Sequence, residues 1–239
     1  MTAESVPASR RPGKRLVAAL TSIDSYGAVL ISILVTYAMA VIVTGDQARS
    51  IVLFTQIATV WLVFRVAHSR QSVRRATDVL LIVAGIVAVL NGLALTGDTP
   101  GAFLFAASCV LYLIAPVAIV RDIGTRRRVD LETVLGAVAA YLLIGMFFAF
   151  AYRWMGDVQS APFFGVNGDG SLPDDLFFSF TTMTTIGFGS LVPADNPGQT
   201  FAVAEGVIGQ LFLVVAVAKV VGAWQPKAMR GPADDDPSG

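Results

Sequence analysis

The stretch Pro173-Asp174-Asp175-Leu176-Phe177-Phe178-Ser179-Phe180-Thr181-Thr182-Met183-Thr184-Thr185-Ile186-Gly187-Phe188-Gly189-Ser190 joins a short helix to a glycine-spaced tail. Proline is tolerated in the first turn of a helix, and carboxylates are favoured at the positive end of its dipole, so a helix starts here and runs to about Thr184. Its apolar part is too short to cross a bilayer, and the whole segment Leu172 to Pro193 reads as re-entrant. The helix would aim its negative C-terminal end at mid-depth, which favours a cation. Beyond it, Gly187 and Gly189 can adopt positive φ at little cost, so successive carbonyls need not alternate sides as in a strand. Carbonyls of Thr185, Ile186, Gly187 and Phe188, with the Thr185 hydroxyl below them, would then form oxygen rings that replace the hydration shell of a cation. Ile186 and Phe188 would pack outward against the short helix. One chain supplies one such segment, so a ring needs a closed homo-oligomer.

The rest of the chain provides a membrane setting. Of 239 residues, 55% are hydrophobic and 14% charged, far from the roughly 25% charged residues of a soluble domain. Apolar runs of near-spanning length occur at about Tyr26 to Thr44, Ile51 to Val66, Val79 to Leu95, Ala102 to Val120, Leu131 to Tyr152 and Thr200 to Gly222. The expected fold class is therefore an all-α membrane protein: six transmembrane helices with a re-entrant short helix between the fifth and sixth. In domain terms, residues 1–22 form a disordered basic N-terminus and 23–128 a four-helix module. Residues 129–224 form the helix, short helix, tail and helix unit, and 225–239 a short disordered tail.

Charge gives orientation. Of the 17 basic residues, all but Arg49 and Arg153 fall on one side of this arrangement, which the positive-inside rule makes cytoplasmic together with both termini. Asp46, Asp98, Asp157, Asp169, Asp174, Asp175 and Asp195 lie opposite and would raise the local cation concentration. A formal net charge of zero gives no reason to expect nucleic acid as a partner. The single cysteine, Cys109, lies in an apolar run, and the single histidine, His68, in a basic loop, so no metal or thiol site is expected.

The central segment resembles the pore loop of the potassium channel family, whose signature is T-x-G-[YF]-G. Leu191-Val192-Pro193 is similar to the family's outer-mouth turn, and the last span, with Gly209 near its middle, resembles a pore-lining helix with its hinge glycine. The resemblance covers about Leu131 to Gly222. It implies a homotetramer in the plasma membrane that conducts K+ passively, with Thr185, Ile186, Gly187, Phe188 and Gly189 as selectivity filter. Thr181, Thr184 and Ser190 become supports of the pore helix and filter. Ser190 stands where the family usually has an aspartate, and Thr181 where some bacterial members have a carboxyl.

Other readings have less to rest on. Phe103 to Val120 contains no arginine, so the fourth span lacks a charged voltage sensor. A non-selective monovalent cation channel is the nearest alternative, and an acidic residue at 187–189 would have favoured it. Secondary transport would require paired, broken halves. An enzyme would require a clustered catalytic set. No cofactor is expected beyond K+ as permeant ion, and the partners are K+, lipid and further copies of the chain. Glu205, the one carboxylate well inside a span, is expected to support the filter from behind, to make a proton-sensitive contact at the pore helix, or to hydrogen-bond within a polar pocket.

Overall fold

The computed structural model describes residues 25–43, 48–67, 100–126 and 129–223. These residues form six α-helices: α1 Ser25–Ile42, α2 Ala48–Val66, α3 Pro100–Thr125, α4 Leu131–Val158, α5 Leu172–Met183 and α6 Asn196–Ala223. A 3-10 turn at Gly165–Asn167 lies between α4 and α5. No strand occurs among the described residues. The expected span Val79 to Leu95 lies outside them, as do His68, Asp46, Asp98 and both tails.

Three of these helices, α3, α4 and α6, are long and apolar enough to cross a membrane, and α1 and α2 contain shorter apolar stretches. Two helices outrun their expected ends. α3 continues through Pro116 to Thr125, and α4 continues past Tyr152 to Val158. An Arg153–Asp157 ion pair at 3.0 Å, one turn apart, stabilises that extra turn of α4.

α4 is the hub. It packs on α1, α3, α5 and α6, while α2 reaches it only through α1 and α3. Small residues explain how four helices fit around one. A Cβ on Gly136 would lie 3.1 Å from Ile123 and 3.4 Å from the Tyr26 ring, and one on Gly145 would lie 2.8 Å from both Met183 and Phe180. Leu143, Met146 and Phe150 of α4 then meet Ile33, Tyr112, Ile119 and Leu176 in one continuous core.

Polar side chains cross-link the helices where lipid offers no hydrogen bonds. The Thr59 hydroxyl of α2 lies 2.6 Å from Ser32 and 3.0 Å from Thr36 of α1, and Ser108 of α3 donates to Gln56 at 2.6 Å. At one end of the bundle Tyr26 donates to Asp122 at 2.7 Å, and Arg126 bridges Asp122 and Glu132 at 3.1 and 2.6 Å. Lys219 of α6 reaches the same end and donates to the carbonyl of Ile123 at 2.5 Å, in the last turn of α3. A cation suits that position, because the final carbonyls of a helix lack partners and carry its negative pole. The α3 C-terminus, the α4 N-terminus and the α6 C-terminus thus share one side.

Thr59→Val keeps the shape of the buried hydroxyl pair but removes the bond between α1 and α2. Thermal unfolding of the detergent-solubilised protein should show a loss of about 1 kcal/mol, within the range for a hydrogen bond between membrane helices. An unchanged midpoint would mean that the contact contributes nothing.

Candidate functional site

The site is built on α5. Its start is closed by the Asp174 carboxylate, which accepts from the Ser171 backbone N–H at 2.7 Å and from its hydroxyl at 2.6 Å. Pro173 sits in the first turn as expected. Asp175 follows, with its carboxyl fully buried and neither oxygen hydrogen-bonded. Its nearest cation, Arg153, stands 3.8 Å away and directs its bonds to the Gly170 carbonyl and to Asp157. Burial therefore outweighs the arginine. It pushes the Asp175 carboxyl up to about 8, and the nearby charges of Asp174, Asp157 and Asp169 add to the effect.

α5 ends abruptly. The Thr184 N–H still bonds to Phe180 at 3.1 Å, but the Thr185 N–H turns back to Thr182 at 2.9 Å and the Gly187 N–H to Thr181 at 3.1 Å. Backbone φ is then positive at alternate residues, +61° at Thr185, +54° at Gly187 and +77° at Gly189. The two glycines adopt the conformation their residue type allows. Thr185 does so against its type, since left-handed backbone is uncommon for a β-branched residue and is costly unless its surroundings enforce it. Phe188 stacks on Phe177 of α5, ring centres 5.6 Å apart and planes 11° from parallel. Even so, Phe188 is 67% exposed on the single chain, and Ile186 59%. Thr181 and Thr184 turn their hydroxyls onto the carbonyls of Phe178 and Phe180, within α5 itself.

The loop between α4 and α5 is folded against this segment. Asp169 accepts from the Phe163 N–H at 2.9 Å, and the Phe163 carbonyl accepts from Ala194 at 2.9 Å. Asn167 donates its side-chain N–H to the Ser190 carbonyl at 3.0 Å. Beneath lies an aromatic layer in which the Tyr152 ring meets Phe178 at 4.9 Å, Phe163 at 5.6 Å and Phe201 at 5.7 Å. Asn167 has no signature in the linear sequence, and neither does this layer. Only aromatic residues spread over four separate segments hint at it.

Glu205 is fully buried and faces α4 and α5. Its Oε2 accepts from the Tyr152 hydroxyl at 2.7 Å, and its Oε1 lies 2.5 Å from the Ser179 hydroxyl, which is itself 2.7 Å from the Gly145 carbonyl. Tyr152 and Ser179 were not among the residues expected to matter. A carboxyl in a span needs buried polar partners, and that rule could have singled out both. Gly209 lies next to the same region. α6 runs unbroken through it, and a Cβ there would stand 2.6 Å from Met183 Cγ and 2.8 Å from the Met183 carbonyl oxygen. A hinge was expected at Gly209, and the structure supplies a packing reason for glycine: α6 approaches the end of α5 too closely for any side chain.

With its apolar spanning helices and buried interhelical polar bonds, this is an all-α membrane protein. Residues 137–225, which carry the α5 segment and α6, match a family model described as an ion channel. The inward rectifier potassium channel Kirbac3.1 of Paramagnetospirillum magnetotacticum is 38% identical over 82 residues, covering 34% of this chain and 25% of that protein. The match thus spans a quarter of the relative's length. No solved structure matches the chain significantly. Both matches support a potassium channel family.

Two outcomes follow from this geometry. Gly209→Ala should destabilise the protein by about 1–3 kcal/mol, as overpacking does, and Met183→Ala should not restore it, because the clash with a backbone oxygen remains. Full rescue by Met183→Ala in thermal unfolding would contradict this. The second concerns Asp175. Its proton is held more tightly in the folded chain than in the unfolded one. The stability it contributes is therefore present below the ordinary value of 3.8 and is lost as pH rises through about 8. Asp175→Asn, neutral throughout, should gain in midpoint over the unmodified protein between about pH 5 and about pH 9. A mutant that loses ground over that range would mean that the ionised Asp175–Arg153 pair is favourable.

Proposed function

We propose that the chain is one subunit of a K+-selective channel. Four copies surround one axis in the plasma membrane, and Thr185 to Gly189 of each lines the conduction path. Carbonyls of Thr185, Ile186, Gly187 and Phe188, with the Thr185 hydroxyl, take the place of water around the ion. The observation that carries this reading is the alternation of backbone hand at residues 185, 187 and 189, between which Ile186 and Phe188 keep negative φ. Alternating hands turn successive peptide planes so that their oxygens can share one side, which neither a helix nor a strand allows.

Exposure on the single chain supports an oligomer. α6 leaves Val203, Val207, Leu211, Val214, Val215 and Val217 more than half exposed, a long apolar face suited to neighbouring copies and an inner cavity. Non-helical backbone is tolerated at membrane depth only where protein buries it or a water-filled path runs beside it. A closed ring of four such segments satisfies that condition. In this reading the chain has six spans with α5 as re-entrant helix, residues 23–128 form a module beside the pore, and both termini are cytoplasmic. Lys219 and Arg126 at one end and Asp157, Asp169, Asp174 and Asp175 at the other agree with that orientation.

The test is rubidium or potassium uptake by liposomes holding the purified full-length protein, with sodium as competitor and barium as blocker. The expected result is preference for K+ over Na+ and block by Ba2+. Gly187→Ala should lose selectivity, because a Cβ is strained at φ +54°. Equal fluxes of the two ions through the unmodified protein would leave a cation pore and remove the K+ assignment.

A further inference from the structure

Three close oxygen–oxygen contacts meet around Glu205. Tyr152 Oη to Glu205 Oε2 is 2.7 Å, Ser179 Oγ to Glu205 Oε1 is 2.5 Å, and Ser179 Oγ to the Gly145 carbonyl oxygen is 2.7 Å. All four residues are buried, so no solvent proton can be borrowed at these positions. At such distances each contact requires a hydrogen between its two oxygens. The inventory is short: Tyr152 brings one, Ser179 brings one, and the carbonyl of Gly145 brings none.

Two hydrogens cannot fill three contacts. If Ser179 donates to Gly145, its contact with Oε1 faces oxygen lone pairs on both sides. If Ser179 donates to Oε1 instead, the contact with Gly145 is left bare. The deficit is one hydrogen in either case, and of the four groups only the carboxyl can take one at neutral pH. Placed on Oε1, it completes a chain that runs one way: Tyr152 donates to Oε2, Oε1 donates to Ser179, and Ser179 donates to Gly145. Charge leads to the same place. Among the described residues no lysine or arginine pairs with Glu205, and the titratable groups that face it are the phenols of Tyr152 and Tyr141, both from α4. An ionised carboxylate buried without a counter-ion is strongly disfavoured.

We infer that Glu205 is held as the neutral acid and is a positioning residue for the conduction path, its proton closing a hydrogen-bond chain that ties α6 and α4 to the middle of α5. α5 carries residues 184–189 at its end, and the Gly187 N–H is bonded to Thr181 of α5, so the tie sets the height and rotation of the segment. The functional half of this inference rests on the channel reading, whereas the protonation state does not.

The experiment uses the full-length protein in liposomes and has two arms. Infrared difference spectroscopy of the unmodified protein against Glu205→Gln, at neutral pH, should show a carboxylic-acid C=O stretch that shifts in D2O and is absent from the variant. In the flux arm, Glu205→Gln should keep the rate and selectivity of the unmodified protein, because its amide N–H can donate to Ser179 while its oxygen accepts from Tyr152. Glu205→Leu and Ser179→Ala, which break the chain, should lower flux about tenfold, in line with one lost interhelical bond. Size-exclusion elution identical to that of the unmodified protein guards against variants that do not assemble. Absence of the acid band, or a Glu205→Gln variant as impaired as Glu205→Leu, would overturn the inference. If the unmodified protein carries no flux, the channel reading fails, and the infrared band alone still upholds or overturns the neutral acid.

Discussion

Peptide groups that leave a helix inside an apolar bundle must find partners or be held apart by their surroundings, and residues 184–189 impose that constraint on everything around them. Only three of their N–H groups turn back to α5, those of Thr184, Thr185 and Gly187. Positive φ at Thr185 is a further cost, since neither glycine's freedom nor a helix ladder supports it. Such a segment stays in place only if the elements flanking it are rigid. Its shape is therefore a property of α4, α5 and α6 together.

The means of that rigidity are close approach and buried polar bonds. Gly145 lets α5 lie against α4, and Gly209 lets α6 lie against Met183 at the point where α5 ends. Close approach brings Glu205, Ser179 and Tyr152 within hydrogen-bond distance of one another. On the other side the loop after α4 closes over the segment, with Asn167 holding the Ser190 carbonyl and the aromatic layer around Tyr152 beneath. That bond fixes the turn at Ser190 to the loop that precedes α5. Tyr152 takes part in both devices, its ring in the aromatic layer and its hydroxyl on Glu205.

Much of this was legible in the sequence, and the parts that were not have a common cause. The short helix with Pro173 and Asp174 at its start, the conformations of Gly187 and Gly189, and the apolar spans follow from local rules about capping, backbone freedom and hydropathy. Tertiary partners do not. Glu205 could be recognised as a carboxyl needing company, yet Ser179 and Tyr152 lie 26 and 53 residues away and look like ordinary members of apolar runs. Gly209 was singled out by resemblance to a pore-lining helix, and its close contact with Met183 is invisible without the fold. Thr185 at φ +61° contradicts its own propensity, which is where local reasoning is expected to fail when a site is imposed from outside.

The central claim is that backbone oxygens of residues 185–188 from equivalent copies surround a dehydrated monovalent cation. Diffraction from crystals grown in Rb+ or Tl+, with anomalous difference maps, tests it most directly. The account predicts a column of ion peaks on a fourfold axis, spaced between the carbonyl rings of Thr185, Ile186, Gly187 and Phe188. A map with residues 185–189 turned away from the axis, or with no ion density between those carbonyls, would contradict it.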